Sequence, residues 1–138
     1  MTDKKSALNS WSERLVEDFD QAWNERDAGA LAALFTEDAD FQFYYGHMVR
    51  GRERIKSYYQ DKVFPYLPEN MRHLTHSYKT RQLAEGILIN DGKVDLILVD
   101  ENGAQIEVKR RIRVTTVTIE DKDQLKFAAV RIMIPVKG

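Results

Sequence analysis

Cysteine is absent from the 138 residues, which excludes disulfide staples, a thiolate nucleophile and any Cys-ligated metal centre. Proline occurs 3 times and glycine 7 times, too seldom for a low-complexity or disordered chain. No run approaches the ~18 uncharged apolar residues that span a bilayer. The start, Met1-Thr2-Asp3-Lys4-Lys5-Ser6, lacks the apolar stretch of a secretory signal, so a cytoplasmic location is the expectation. A surplus of either charge is missing too: 21 Lys and Arg face 22 Asp and Glu, a formal net charge of −1. Binders of nucleic acid or of membrane surfaces show a strong basic excess, so neither partner is expected. What is present, 43% apolar and 10% aromatic residues, suits a globular chain that buries roughly 65–70% of its unfolded surface. One domain spanning residues 1–138 is expected.

The first half has helical periodicity. Leu8, Trp11, Leu15, Phe19, Ala22 and Trp23 recur at steps of three, four and one, an apolar stripe on one helix face. Ser10 and Glu13 fit a capping box, which starts the regular helix at Ser10 behind a frayed extension. Asp27 can cap a short second helix, Ala28 to Phe35, ended by Thr36-Glu37-Asp38. Ala39 to Tyr45 reads as a strand and Gly46 to Gly51 as a loop. Arg52 to about Val63 reads as a third helix, stopped by Pro65. From His73 onward the pattern is that of strands. Asp91-Gly92 and Asn102-Gly103 are hairpin signals, and Glu120 to Asp123 is a looser turn. They divide the tail into runs near 73–90, 93–100, 104–119 and 124–136, antiparallel because tight turns join them. The order is α-α-β-α-β-β-β-β. In 73–90 the apolar parity slips: Leu74 and Tyr78 are even, Leu83, Ile87 and Ile89 odd. A bulge near Arg81-Gln82 repairs it. Long bulged strands curve a sheet, and a helix across the concave side leaves an open-ended cavity.

Three segments carry a family likeness: Ala22-Trp23-Asn24-Glu25-Arg26-Asp27, then Leu31-Ala32-Ala33-Leu34-Phe35-Thr36-Glu37-Asp38-Ala39-Asp40-Phe41, then Gly51-Arg52-Glu53-Arg54-Ile55. With the element order, they make the chain resemble the nuclear-transport-factor-2-like superfamily, in its SnoaL-like and ketosteroid-isomerase-like branches. The resemblance covers essentially the whole chain. It implies an α+β, cystatin-like fold, a cone-shaped curved antiparallel sheet packed against three helices. It also implies homodimerisation through the outer face of the sheet and a pocket between helices and sheet. Isomerases, dehydratases, cyclases and non-catalytic binding domains share this fold, so the fold does not settle function. The isomerase's residues do not transfer. Its carboxylate base falls at Phe43, its oxyanion-hole tyrosine at Phe19 and its protonated carboxylic acid at Thr115 or Thr116. Phenylalanine can neither take a proton nor donate a hydrogen bond.

Alternation from position 43 turns Phe41, Phe43 and Tyr45 inward and Asp40, Gln42 and Tyr44 outward. With Phe19 and Trp23 they would make an aromatic wall for a planar apolar ligand, or simply the core. His47 sits in the loop at the mouth of the cone. Tyr58 and Tyr59 are packing residues, one with its hydroxyl turned to the pocket. His76 shares parity with Leu74 and Tyr78, so it points inward, as a general base or as a hydrogen-bonded interior histidine. His73 points the opposite way, and His73-x-x-His76 on an extended strand cannot clamp one metal. Within Lys109-Arg110-Arg111-Ile112-Arg113, the odd residues take one face and Arg110 joins Val108, Ile112 and Val114. A charge on the apolar side needs a carboxylate partner, a structural ion pair, or an anionic ligand. The combined expectation is a homodimer whose cavity binds a small apolar or aromatic molecule without a cofactor or metal. If it is catalytic, the chemistry is proton transfer in an isomerisation, dehydration or cyclisation. His76 would be the base, with Tyr45 or Arg110 polarising an oxygen. The alternative is a non-catalytic ligand-binding or dimerisation module.

Overall fold

A computed structural model of the protein describes residues 3–136. The chain order is α1 (Lys4–Asn24), α2 (Ala28–Ala32), β1 (Phe35–Gln42), β2 (Met48–Arg50), α3 (Arg52–Tyr58), β3 (Met71–Ala84), β4 (Ile87–Val99), β5 (Gln105–Glu120) and β6 (Leu125–Met133). The strands form one curved six-stranded sheet, ordered β2-β1-β6-β5-β4-β3, against three helices, the α+β class expected. Consecutive strands from β3 onward are antiparallel, but β1 runs parallel to β6. The sheet is therefore mixed rather than wholly antiparallel. Tight-turn logic governs neighbours in sequence, and β1 and β6 are not neighbours in sequence.

α1 begins nearly two turns before the Ser10 capping box. Asp3 caps it instead, its carboxylate accepting the Lys5 N–H at 3.2 Å, and Leu8 is thereby carried into the buried stripe. Asp27 caps α2 by accepting the Ala30 N–H at 2.9 Å, yet this helix stops at Ala32, short of Phe35. The sheet takes over there: Leu34 C=O accepts the Phe127 N–H at 2.9 Å, and Phe35 registers with Phe127. Thr36-Glu37-Asp38 is accordingly strand, and the strand placed at Ala39–Tyr45 lies instead at Phe35–Gln42. The expected 46–51 loop contains β2, paired antiparallel with β1. The third helix is α-helical only to Tyr58. Tyr59–Val63 widens into a π-turn and Phe64–Tyr66 closes as a 3₁₀ turn. Pro65 has no N–H with which to continue the ladder, and the π-turn rephases the helix so that Tyr59 and Phe64 both face the core.

Of the three expected turns, two form. Asp100 accepts the Asn102 and Ala104 N–H groups at 2.8 and 2.9 Å, and Gly103 adopts a φ of +82°. The chain also reverses between Asp121 and Gln124. Asp91-Gly92 does not turn: Gly92 pairs with Tyr78 on one side and Val114 on the other, inside β4. A Cβ there would stand 3.1 Å from Val114 and 3.4 Å from the Tyr78 ring, so this glycine permits close packing in mid-strand. The reversal occurs instead at Gly86, whose φ is +74°. Register shifts skip His76 and Leu83 in β3 and Lys109 in β5. The bulge expected at Arg81-Gln82 is thus one of several, and not the decisive one. α1 lies against the concave face, over a core in which Leu31, Phe35, Phe41, Ile55 and Leu88 are almost wholly buried. Among the described residues no helix is long and apolar enough to cross a membrane.

Candidate functional site

The bulge at His76 decides which histidine faces inward. Before it, Met71 and His73 are buried on the concave side; after it the inward parity changes to Tyr78 and Thr80. Placing the slip at Arg81-Gln82 put His76 inside, and the structure reverses that assignment. His76 is the extra residue of the bulge, its side chain 44% exposed and its Nε2 2.5 Å from Asp95 Oδ2. Asp95 lies on the opposite face of β4 from Val94 and Leu96, which line the cavity.

His73 occupies the inward position and is held from three directions. Asp20 and Asn24, one turn apart on α1, face the edge strand β3. The Asn24 amide donates to His73 C=O at 3.2 Å and accepts its N–H at 2.7 Å, standing in for an absent neighbouring strand. Asp20 Oδ1 lies 2.6 Å from His73 Nδ1 and accepts the Thr75 hydroxyl at 3.0 Å, while Oδ2 accepts the Thr75 N–H at 3.3 Å. A carboxylate only accepts, so Nδ1 carries the hydrogen, which leaves Nε2 as the ring nitrogen able to hold a lone pair. Ring centroids of Phe19 and Trp23 lie 5.2 and 5.3 Å from the imidazole. Arg26, at a φ of +58°, donates to Pro68 C=O at 2.8 Å and Met71 C=O at 2.9 Å and covers Trp23 at 4.8 Å. Trp23, Asn24 and Arg26 thus tie the end of α1 to the start of β3.

Between α1, the π-turn and the concave sheet lies a cavity of about 370 Å³. Its wall includes Phe19, Trp23, Phe41, Phe43, Tyr45, Tyr59 and Arg110 of the residues singled out from sequence, and His73 as well. Tyr58 and His47 stand behind that wall: His47 stacks on Tyr58 at 5.0 Å, Tyr58 contacts Phe43 at 4.9 Å, and Tyr58 shares a hydroxyl–hydroxyl hydrogen bond with Tyr45. Tyr44, expected to face outward, lines the mouth because the strand ends at Gln42 and alternation ends with it. Arg110 faces inward as expected, but no ion pair with a carboxylate forms among the described residues. Its guanidinium lies over the Tyr44 ring at 4.8 Å instead. Val108, assigned to the same face as Arg110, is turned to the other by the bulge at Lys109.

Tyr78 and Thr116 in the cavity wall adjoin a buried polar network. Asn90, 0% exposed, accepts from the Thr80 hydroxyl at 3.0 Å and donates to the hydroxyls of Thr116 at 2.9 Å and Thr118 at 3.2 Å. Burial pushes the Tyr78 phenol up to about 12, against a smaller opposing effect of its hydrogen bond with Thr116. Burial raises Tyr59 further still. Both hydroxyls are neutral donors at ordinary pH. Among the described residues no three His, Asp or Glu side chains converge at metal-ligating distance; His73 and His76 each engage a different carboxylate.

Sequence reading assigned no role to Asp20 or Asn24 and turned His73 to the face opposite His76, whereas the structure sets His73 in the cavity wall. The signal was present in α1: Asp20 and Asn24 sit an i, i+4 step apart beside the apolar stripe of Phe19 and Trp23, so both flank the buried face. Their partners on β3 follow only from the bulge.

A model of the SnoaL-like domain matches residues 16–124, well over half of the chain. The chain belongs to the SnoaL-like family. This places it in the nuclear-transport-factor-2-like superfamily, in agreement with the resemblance carried by the 22–27, 31–41 and 51–55 segments. No curated protein sequence matches this SnoaL-like chain. Solved structures do. An uncharacterized protein with a cystatin-like fold from Caulobacter vibrioides superposes at a TM-score of 0.78 and 18% identity, over 94% of this chain and 90% of that one. Aln2 from a Streptomyces species gives 0.81 and 15%, over 97% and 94%. Hexachlorocyclohexane dehydrochlorinase LinA-type3 from Novosphingobium barchaimii gives 0.80 and 16%, over 96% and 89%. At these identities the likeness is one of fold.

Proposed function

We propose that this SnoaL-like protein removes a proton from carbon in a small, planar, largely apolar substrate, as an isomerase or lyase that draws on no cofactor. His73 is the general base. The observation that carries the reading is the Asp20–His73 pair at 2.6 Å, with the ring set among aromatic side chains in the cavity wall. Asp20 holds the tautomer that presents a lone pair at Nε2, and its charge stabilises the imidazolium that forms on proton abstraction. Asp20 acts through His73 and is a positioning residue. Thr75 in turn holds Asp20. Negative charge developing on the substrate has neutral donors at hand in Tyr59 and Tyr78. A largely apolar, aromatic wall lowers the local dielectric and strengthens each of these interactions. Support also comes from the Novosphingobium neighbour, named a dehydrochlorinase, a reaction class that takes hydrogen from carbon.

Nitrobenzisoxazole tests the reading without knowledge of the natural substrate. It is planar and apolar, and a base that takes its ring C–H proton breaks the N–O bond and releases a coloured cyanonitrophenolate. The protein accelerates this reaction, and His73→Gln lowers the rate by about a hundredfold or more. Asp20→Asn slows it while leaving the probe's binding intact, whereas His76→Gln leaves it unchanged. An undiminished rate in His73→Gln removes the histidine from the chemistry. Binding of the probe without any turnover in the parent protein favours a binding module instead.

A further inference from the structure

Charge around the cavity is distributed unlike charge elsewhere in the molecule. Among the described residues twenty-five form its lining, and none of these is Asp or Glu; the Lys and Arg residues there are Lys62 and Arg110. Acidic residues slightly outnumber basic ones in the chain as a whole. Among the described residues four Lys and Arg side chains form ion pairs: Lys4 with Glu120 at 2.7 Å, Lys109 with Glu107 at 2.9 Å, Lys126 with Asp121 at 3.6 Å and Arg131 with Asp40 at 2.6 Å. Arg110 lies one residue from the Lys109–Glu107 pair, yet its only close partner among the described residues is the face of Tyr44. Stacking on an aromatic ring leaves the edge of the guanidinium, with its N–H donors, open to a ligand. Lys62 comes from the π-turn and Arg110 from β5, so the two cations approach the same cavity from different elements. Both are exposed side chains, which places them at the mouth. Tyr44, Tyr45 and Tyr66 line the same rim at 43, 55 and 76% exposure.

We propose that the cavity selects an amphiphilic organic anion: a planar apolar body inside, and one acidic group held at the mouth by Arg110 and Lys62. The inference rests on the reading of this cavity as the substrate site and adds the substrate class. An inorganic anion does not satisfy the geometry, because most of the wall is hydrocarbon and offers nothing to a small hydrated ion. The strand register also supplies a ruler. His73 registers with Leu96 and Leu96 with Arg110, so base and guanidinium stem from one row across three strands. Two inter-strand spacings set their backbones roughly 10 Å apart. The reacting carbon and the acidic group therefore sit on opposite ends of the substrate, across one or two fused rings. Arg110 is a binding residue in this scheme and takes no proton.

Two fluorescent probes with the same aromatic skeleton isolate the acidic group: anilinonaphthalene sulfonate and its uncharged parent, phenylnaphthylamine. The protein binds the sulfonate about tenfold or more tightly than the neutral dye, and added salt weakens only the sulfonate. Arg110→Gln and Lys62→Gln each reduce that preference, the double variant abolishes it, and Arg110→Lys restores part of it. Both sites are exposed, and unchanged circular dichroism and neutral-dye affinity show that the variants are folded. Equal affinity for the two dyes, or a preference untouched in the double variant, overturns the anion site. If that happens while the parent protein still turns over nitrobenzisoxazole, the proton-transfer reading stands and only the substrate class falls. Failure of both dyes to bind overturns the cavity as a ligand site and this inference with it.

Discussion

Replacing Asn24 by alanine removes the two hydrogen bonds through which α1 substitutes for a neighbouring strand at His73. The bonds measure 2.7 and 3.2 Å and join groups 49 residues apart in sequence. Each contributes about 1 kcal/mol net, and a buried backbone group left without a partner costs about 1–3 kcal/mol more. Asn24 is half-buried while His73 is buried, so water can repair one of the two groups more readily than the other. The expected loss is about 2–3 kcal/mol. For a chain of this length that lowers the melting temperature by roughly 3 °C per kcal/mol, or about 6–9 °C in all. Urea denaturation measures it, with a lower midpoint and an unchanged slope, because no additional surface is exposed on unfolding. Amide hydrogen exchange supplies the local readout: the His73 N–H exchanges faster in the variant, while amides in the middle of β4 and β5 change only by the global loss. Asn24→Asp keeps an acceptor for the His73 N–H but sets a carboxylate against the His73 carbonyl, so it is at least as destabilising. A loss below about 0.5 kcal/mol in Asn24→Ala, with His73 exchange unaltered, refutes the idea that a side-chain amide completes the sheet edge.

The remaining predictions concern groups buried within the sheet. Tyr78 ionises near 10 in the unfolded chain and at about 12 in the folded one. The unfolded state therefore loses its proton first, and stability falls as pH rises from 10 to 12, by on the order of 2–3 kcal/mol from this group. Urea titrations across that range show a shallower decline in Tyr78→Phe; an identical slope refutes the burial of this phenol. Gly92→Ala tests the misread turn. In an open strand the change would be neutral or stabilising, but a contact of 3.1 Å to Val114 makes it destabilising by about 1–2 kcal/mol, read as a lower thermal midpoint. An increase in stability would show that the two side chains move aside freely.

Much of the fold was legible because local rules produced it. The Leu8-to-Trp23 stripe marks a helix that must lie on something apolar, and Asp27 caps the next helix wherever that helix stops. Asn102-Gly103 turns because Gly103 takes a positive φ there. The errors share one cause. Asp91-Gly92 has turn chemistry, yet cross-strand packing against Tyr78 and Val114 claims it for a strand. Ala33-Leu34-Phe35 continues a helical pattern until pairing with β6 draws Phe35 into the sheet. Ser10 has the residues of a cap, yet Asp3 takes the role because the buried stripe starts earlier, at Leu8. In each case a tertiary contact outweighed a local preference worth about 1 kcal/mol or less.

The candidate site divides along the same line. The aromatic wall was readable, since Phe19, Trp23, Phe41, Phe43 and Tyr59 are large apolar side chains at inward-facing periods. Composition and periodicity alone determined that this chain has aromatic residues enough to line a hollow, no thiol chemistry and a near-neutral charge. Only the folded chain decided that His73 and not His76 looks into the hollow, because a single bulged residue inverts a strand and nothing in the local sequence reveals where it falls. The folded chain alone also brought Asp20 to that imidazole across 53 residues and left Arg110 facing a ring rather than a carboxylate. Pairing of charges depends on through-space distance, and a linear order of residues does not contain it.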